Sequence, residues 1–417
     1  MGEGVGFQAP NLKLYHSEKC DILWAVNTEF PISLYCHIPF CRHRCAYCDF
    51  NTYARMEERI PAYTAALCAE IDQVSSAAGD RLAAHTVFFG GGTPSLLSAA
   101  QVGGILGALR AGFDLDAAAE ITLEANPGTV TPEWLRGVNA LGVNRLSLGM
   151  QSADRGELRF LERQHGPREV EQAVGWAREA GIANLSLDLI FGLPGQRLAS
   201  WEASLRSALA LDPEHLSLYS LTIEEGTPLH RRVERGLVNE PDNDTAADMY
   251  EAAMATLESA GYQQYEISNW AKPGRECRHN LQYWLNRPYL GFGAGAHGFA
   301  AEVRTANLKG VRAYIQAVAD RSAGVFPRGA ALETALEIDP VTEMGEMMMV
   351  GLRLTARGVR ADDFHRRFGL DLAATYAEPI ERLGRQGLLE WADGVGSALR
   401  LTRRGRLFGN RVFREFI

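Results

Sequence analysis

The chain has 417 residues, 46% hydrophobic and 22% charged, with a net charge of −9. That length allows two or three domains, and the acidic balance offers no global electrostatic case for nucleic acid or an anionic membrane surface. No apolar run reaches the length of a membrane span, residues 1–6 lack a signal-peptide pattern, and seven cysteines, an odd number, argue for a reducing compartment. The expected location is therefore the cytoplasm, with peripheral membrane contact left open.

Residues 1–30 show little periodicity and read as a lead-in. A strand over 31–40 runs into a loop carrying Cys41, Cys45 and Cys48. Ile60, Tyr63, Leu67, Ile71 and Val74 share one helical face. The strand 85–89 ends in Gly90-Gly91-Gly92-Thr93-Pro94, and further strands are read at 120–125, 143–149, 183–191 and 215–221, with helical segments between them. Strand–helix alternation of this kind predicts an α/β fold, a partial (β/α)6 TIM-like barrel over 31–230.

Strand parity sharpens that expectation, because successive strand residues point to opposite faces. Ile121 and Leu123 oppose Glu120, Thr122 and Glu124; Leu146, Leu148 and Met150 oppose Ser147, Gly149 and Gln151; Leu185, Leu187 and Leu189 oppose Ser186 and Asp188. One face packs on helices. The other is small and polar, unlike a packed barrel interior, and suits a barrel that holds a cofactor.

Beyond the barrel, 231–325 reads as an extension containing a helix near 244–260, a strand at 263–267 and the dense stretch 277–299. The last part, 326–417, reads as short helices followed by a hairpin at 387–401, a smaller α+β, winged-helix-like module. Winged helices often bind DNA, but the net charge favours a packing or capping use.

The spacing Cys41-x3-Cys45-x2-Cys48 can bind three irons of a four-iron cluster and leave the fourth without a protein ligand. Zinc would need a fourth donor, which His37 or His43 would have to supply, and no second cysteine knuckle is present. Cys36 reads as core; Cys20 and Cys68 have no partner spacing.

The same run, with Tyr47 before its last cysteine, resembles the radical S-adenosylmethionine superfamily. The resemblance implies a [4Fe–4S] cluster whose open iron is chelated by S-adenosylmethionine, and whose reduction cleaves the sulfonium to a 5′-deoxyadenosyl radical. Gly91, Gly92 and Thr93 resemble the superfamily's glycine motif, where missing side chains allow close approach. Tyr35, Tyr47, Glu124, Gln151, Arg163 and Asp188 match S-adenosylmethionine contact positions of the HemN-like branch. Phe50 stands where coproporphyrinogen dehydrogenases of that branch carry a fourth cysteine. His279-Asn280-Leu281-Gln282-Tyr283-Trp284 instead resembles the His-Asn-x-x-Tyr-Trp motif of the heme chaperones of the branch, as do the stretches 265–270, 291–297 and 347–354. The resemblance runs from residue 33 to the C-terminus.

It implies heme binding through His279, Asn280, Tyr283 and Trp284, heme-acceptor proteins as partners, and a reducing electron donor. Imidazole and thiolate both ligate heme iron, so Cys277 is an alternative ligand and His297 a third candidate. The alternative function is a radical enzyme acting on a tetrapyrrole or other small molecule, either coproporphyrinogen-dehydrogenase-like or a methyltransferase. A cluster-bearing nucleic-acid regulator ranks last on charge.

Overall fold

Six strands expected from the alternation are formed: β1 (Ile32–Ile38), β2 (Ala83–Gly91), β3 (Asp114–Ala125), β4 (Arg145–Gln151), β5 (Asn184–Phe191) and β6 (His215–Ser220). The computed structural model describes residues 30–417, so the lead-in expectation, Phe30 apart, and Cys20 lie outside the described residues. The six strands pair in parallel in chain order. Helices α1 (Ile60–Ala77), α2 (Ala99–Gly112), α3 (Pro132–Ala140), α4 (Pro167–Glu179) and α5 (Leu198–Ala210) connect them. Their starts are written locally. Ser98 and Gln101 form a capping box ahead of α2, and the Thr131 hydroxyl accepts from Trp134 N just before Pro132 opens α3.

The apolar parity of the strands faces these helices. Leu123, Leu146, Leu148, Leu185, Leu187 and Leu189 are fully buried in one core with Leu67, Ile71, Leu106 and Val170, each such side chain worth about 1.5–3 kcal/mol. The opposite parity is mostly polar, with Phe88 and Ile190 as apolar exceptions. Ser33, Thr86, Thr122, Ser147, Ser186 and Ser217 are buried there, with Arg145 and His215 among them.

Strand pairing does not close this sheet. On one side β6 is followed by antiparallel β8 (Asn269–Ala271) and β7 (Gln263–Glu266). On the other, β1 pairs in parallel with β9 (Tyr289–Phe292), which leads through antiparallel β10 (His297–Ala300) and β11 (Val303–Asn307) to β12 (Leu332–Glu337). The result, among the described residues, is a mixed sheet of order β12-β11-β10-β9-β1-β2-β3-β4-β5-β6-β8-β7. The expected (β/α)6 unit is therefore an open parallel core, extended at both edges by the segment read as an extension.

The strand β12 also lies in this sheet, and the C-terminal module's own elements start at the helix Pro340–Gly351. The module's three-stranded sheet, Val359–Arg360, Leu389–Trp391 and Ala398–Leu401, packs on short helices around a separate core that includes Met348, Leu352, Phe364 and Leu401. No helix of the described residues is long and apolar enough to cross a membrane.

Candidate functional site

The carboxyl ends of the parallel strands open into a cavity of about 920 Å³ lined by Cys41, Cys45, Cys48 and the ends of β2 to β6. The cysteine loop is pinned at both sides. Gly92 N donates to Ile38 O at 2.9 Å and Thr93 N to Phe40 O at 2.8 Å, while Leu229 N donates to Ala46 O at 2.9 Å. The thiols have distinct neighbours: Thr93 Oγ1 donates to Cys41 Sγ (3.5 Å), Arg163 Nη1 to Cys45 Sγ (3.5 Å), and Thr52 Oγ1 lies 3.8 Å from Cys48 Sγ. Burial pushes the Cys41 thiol up, with the Thr93 hydroxyl opposing it.

Among the described residues no three His, Cys, Asp or Glu side chains converge on a point that would hold one metal ion. Both histidines proposed for zinc are occupied. His37 bonds Tyr35 Oη through Nδ1 (3.0 Å) and Asn51 O through Nε2 (2.9 Å), and His43 faces Glu162 at 3.3 Å. Three thiols ringing one cavity, with His37 engaged at both nitrogens and His43 turned to Glu162, suit a multi-iron cluster better than a zinc site.

The glycines turn out to serve the loop as much as any ligand. A Cβ on Gly92 would lie 2.6 Å from Phe40 O, and one on Gly91, whose φ is +111°, would run into the His37 ring. Gly91 N also donates to Glu124 Oε2 at 3.1 Å. Glu124 on β3 and Asp188 on β5, with β4 between them, both reach the cavity wall, as their shared polar parity predicted. Burial first, then the Asp188 charge, push the Glu124 carboxyl up to about 7. Burial also raises Asp188, against hydrogen bonds from Ser217 and Ser147, the latter at 3.0 and 3.1 Å to its two oxygens. Two reluctant carboxylates in one cavity make a ready site for a cationic ligand.

Gln151 reaches the same cavity by a route that parity did not foresee. The β4–β5 register slips between Gly149 and Gln151, and Gln151 takes φ +65°. Its amide and the Arg163 guanidinium crowd Gly149, where a Cβ would sit 2.8 and 3.0 Å from them. Arg163 bonds Gly149 O at 3.2 Å and keeps its buried Nε without a partner. Tyr47 also lines this cavity, whereas Tyr35 lines an adjoining one.

That second cavity, about 770 Å³, shares Arg44, Asp49, Phe50, Thr52, Gly91 and Glu124 with the first. Tyr283 and Trp284 line it, but His279, Asn280 and Cys277 do not. The helix Arg278–Trp284 is anchored at its start by the buried Glu120, which accepts from Arg278 N (3.1 Å), His279 N (3.0 Å) and Cys277 Sγ (3.6 Å). His279 is 1% exposed, with Nδ1 against Thr86 Oγ1 and Nε2 against Tyr283 Oη, both at 2.8 Å. Burial, with His85 and Arg145 nearby, lowers it to about 3. Burial likewise raises Cys277 to about 12. His279 and Cys277, the expected candidate heme ligands, both lie in the sheet interior with these partners in place. Glu120 and Arg145, both buried on the polar parity of their strands, line neither cavity.

Residues 35–208 match the family model of the radical SAM superfamily, and residues 338–408 that of the HemN C-terminal domain. The heme chaperone HemW of Bacillus subtilis is 39% identical over 92% of this chain and 99% of its own. The heme chaperone HemW of Escherichia coli is 37% identical over 93% and 98%. The chain belongs to the HemW heme-chaperone family. Family membership within the radical SAM superfamily implies a [4Fe–4S] cluster and S-adenosylmethionine, and the three thiols with the polar cavity beside them fit both. The fold matches that of coproporphyrinogen III oxidase (HemN) from Escherichia coli, a radical SAM enzyme, with a TM-score of 0.80 at 25% identity, over 94% of this chain and 91% of that one.

Proposed function

We propose that the protein binds heme and passes it to acceptor proteins, carrying a [4Fe–4S] cluster on Cys41, Cys45 and Cys48 with S-adenosylmethionine beside it. The observation that carries this reading is the pair of adjoining cavities with a common wall at Gly91 and Glu124. The first has the donors for a cluster and a cationic ligand; the second is lined by aromatic and cationic side chains and is large enough for a flat cofactor-sized ligand.

In the first cavity, Glu124 and Asp188 would face the positive groups of S-adenosylmethionine and Arg163 its carboxylate. Gly91, Gly92 and Thr93 would contribute backbone, Gln151 its amide and Tyr47 its ring. When bound, the cluster and S-adenosylmethionine supply one-electron chemistry. The protein's own residues hold the open side of the loop polar and exclude bulk from the glycine wall. Tyr35, on the second cavity, would reach the ligand only across that wall. The motif residues Tyr283 and Trp284 would pack on heme, with Asn280 and His279 behind them positioning Tyr283. A reducing electron donor and a cytoplasmic location complete the reading.

Adding heme to the reconstituted protein and following the Soret band tests this; no uptake would sink it. Transfer is tested by mixing the heme-loaded protein with an apo-heme acceptor. The fold shared with coproporphyrinogen III oxidase supports a second reading, radical oxidation of a tetrapyrrole. Turnover of coproporphyrinogen with dithionite and S-adenosylmethionine would favour that one.

A further inference from the structure

We infer that the imidazole of His297 is the axial ligand of heme iron, with the heme seated in the second cavity and its carboxylates held by Arg44 and Lys309. The inference rests on the heme-binding reading above and assigns the iron within it. It begins with an elimination. Of the ten histidines, nine are described, and eight of those have a ring nitrogen in a hydrogen bond or ion pair. His297 has neither among the described residues, is exposed, and lines the second cavity. A heme ligand needs a neutral imidazole with an unshared lone pair facing open space. His279 has both nitrogens occupied and no face on either cavity, and Cys277 is sealed against Glu120.

The backbone holds His297 where it can act. It is the first residue of β10, paired with Ala306 of β11, while the next three residues turn into the core. Its carbonyl lies so close to Gly291 on β9 that a Cβ there would overlap it. This contact fixes the strand's lateral position against β9, and so sets the height of the imidazole over the cavity. A ligand on a strand is placed more reproducibly than one on a loop.

The rest of the wall carries aromatic rings and cations on the side of His297, with Asp49 and Glu124 on the wall shared with the first cavity. Tyr283 and Tyr289 meet edge to face with centroids 4.6 Å apart, and Phe50, 62% exposed, stands on the rim common to both cavities. Arg44 donates only to the carbonyls of Cys48 and Phe50, and Lys309 has no carboxylate partner among the described residues. Arg304, by contrast, is already held by Glu346 through two hydrogen bonds. Arg44, held only by backbone carbonyls, and Lys309, with no carboxylate partner among the described residues, match the two carboxylates of heme.

The test is heme titration of the cluster-loaded protein, read by the Soret band and by magnetic circular dichroism, for wild type, His297→Ala, His297→Cys and His279→Ala. His297→Ala should weaken heme binding at least about tenfold, with added imidazole restoring the band, and His297→Cys should convert the spectrum to a thiolate type. His279→Ala should keep the wild-type ligand signature. Cluster absorbance in every variant reports folding. Heme uptake by wild type with an unchanged spectrum in both His297 variants would overturn the assignment alone. Loss of the imidazole signature in His279→Ala only would move the iron to the motif helix. Failure of wild type to take up heme would overturn the heme-binding reading as well.

Discussion

The two cavities share a wall yet are built in different ways. The cluster cavity takes its donors from one contiguous loop and from strand ends that follow one another in the chain, so spacing and parity place each group. The neighbouring cavity is assembled from residues far apart in sequence: Arg44 after β1, Tyr283 on a short helix, His297 on an antiparallel strand and Lys309 beyond β11. On the proposed function, the cluster chemistry would fall at the ends of the parallel strands and heme release at the antiparallel edge of the sheet.

That contrast can be broken from the cluster side first. Cys45→Ser should cut iron content about tenfold or more and abolish the visible absorbance, leaving the far-ultraviolet circular dichroism intact; four irons per chain in the variant would contradict the site. Gly91→Ala forces a side chain into the left-handed region and against His37, and should lower stability by about 1–3 kcal/mol, read as a drop in the thermal midpoint. An unchanged midpoint would mean the loop is not pinned there.

The pH behaviour of Glu124 gives a sharper probe. Its folded carboxyl is raised from 4.5 to about 7, so the unfolded chain gives up that proton first. Its contribution favours the apo fold at low pH and turns against it as pH climbs from about 4.5 through about 7. A cationic ligand favours the ionised form, so affinity for S-adenosylmethionine should rise with pH up to about 7 and level off above it. Glu124→Gln should flatten that profile in calorimetric titrations; an unchanged slope would remove Glu124 from the site. The smallest effect belongs to the motif helix. Tyr283→Phe removes the partner of His279 Nε2 and should cost about 1 kcal/mol in chemical denaturation. A neutral outcome would show that water replaces the hydroxyl.

Much of the first cavity was legible in the sequence. Cys41, Cys45 and Cys48 are local, and Glu124 and Asp188 follow from alternation along strands whose apolar faces are unambiguous. Gln151 was placed on the right wall without its bulge, because a register slip leaves no mark in hydrophobic pattern. The edges of the sheet were not legible, since β9 joins β1 across more than half the chain and only tertiary pairing decides such a neighbour. For the same reason the burial of His279 was not legible in the sequence. Its burial depends on Thr86 and Glu120, which lie far away in sequence and arrive only when β2 and β3 are laid side by side.

The hydrogen bond from Gly91 N to Glu124 Oε2 has one more consequence, a thermodynamic one. Both residues belong to both cavities, so a proton leaving Glu124 for the sake of a ligand in one changes the field in the other by a full charge. Linkage makes that coupling reciprocal: whatever factor S-adenosylmethionine imposes on binding next door, the neighbouring ligand must return to S-adenosylmethionine. Loading and release would then be two readings of one free energy, stored at a single carboxylate.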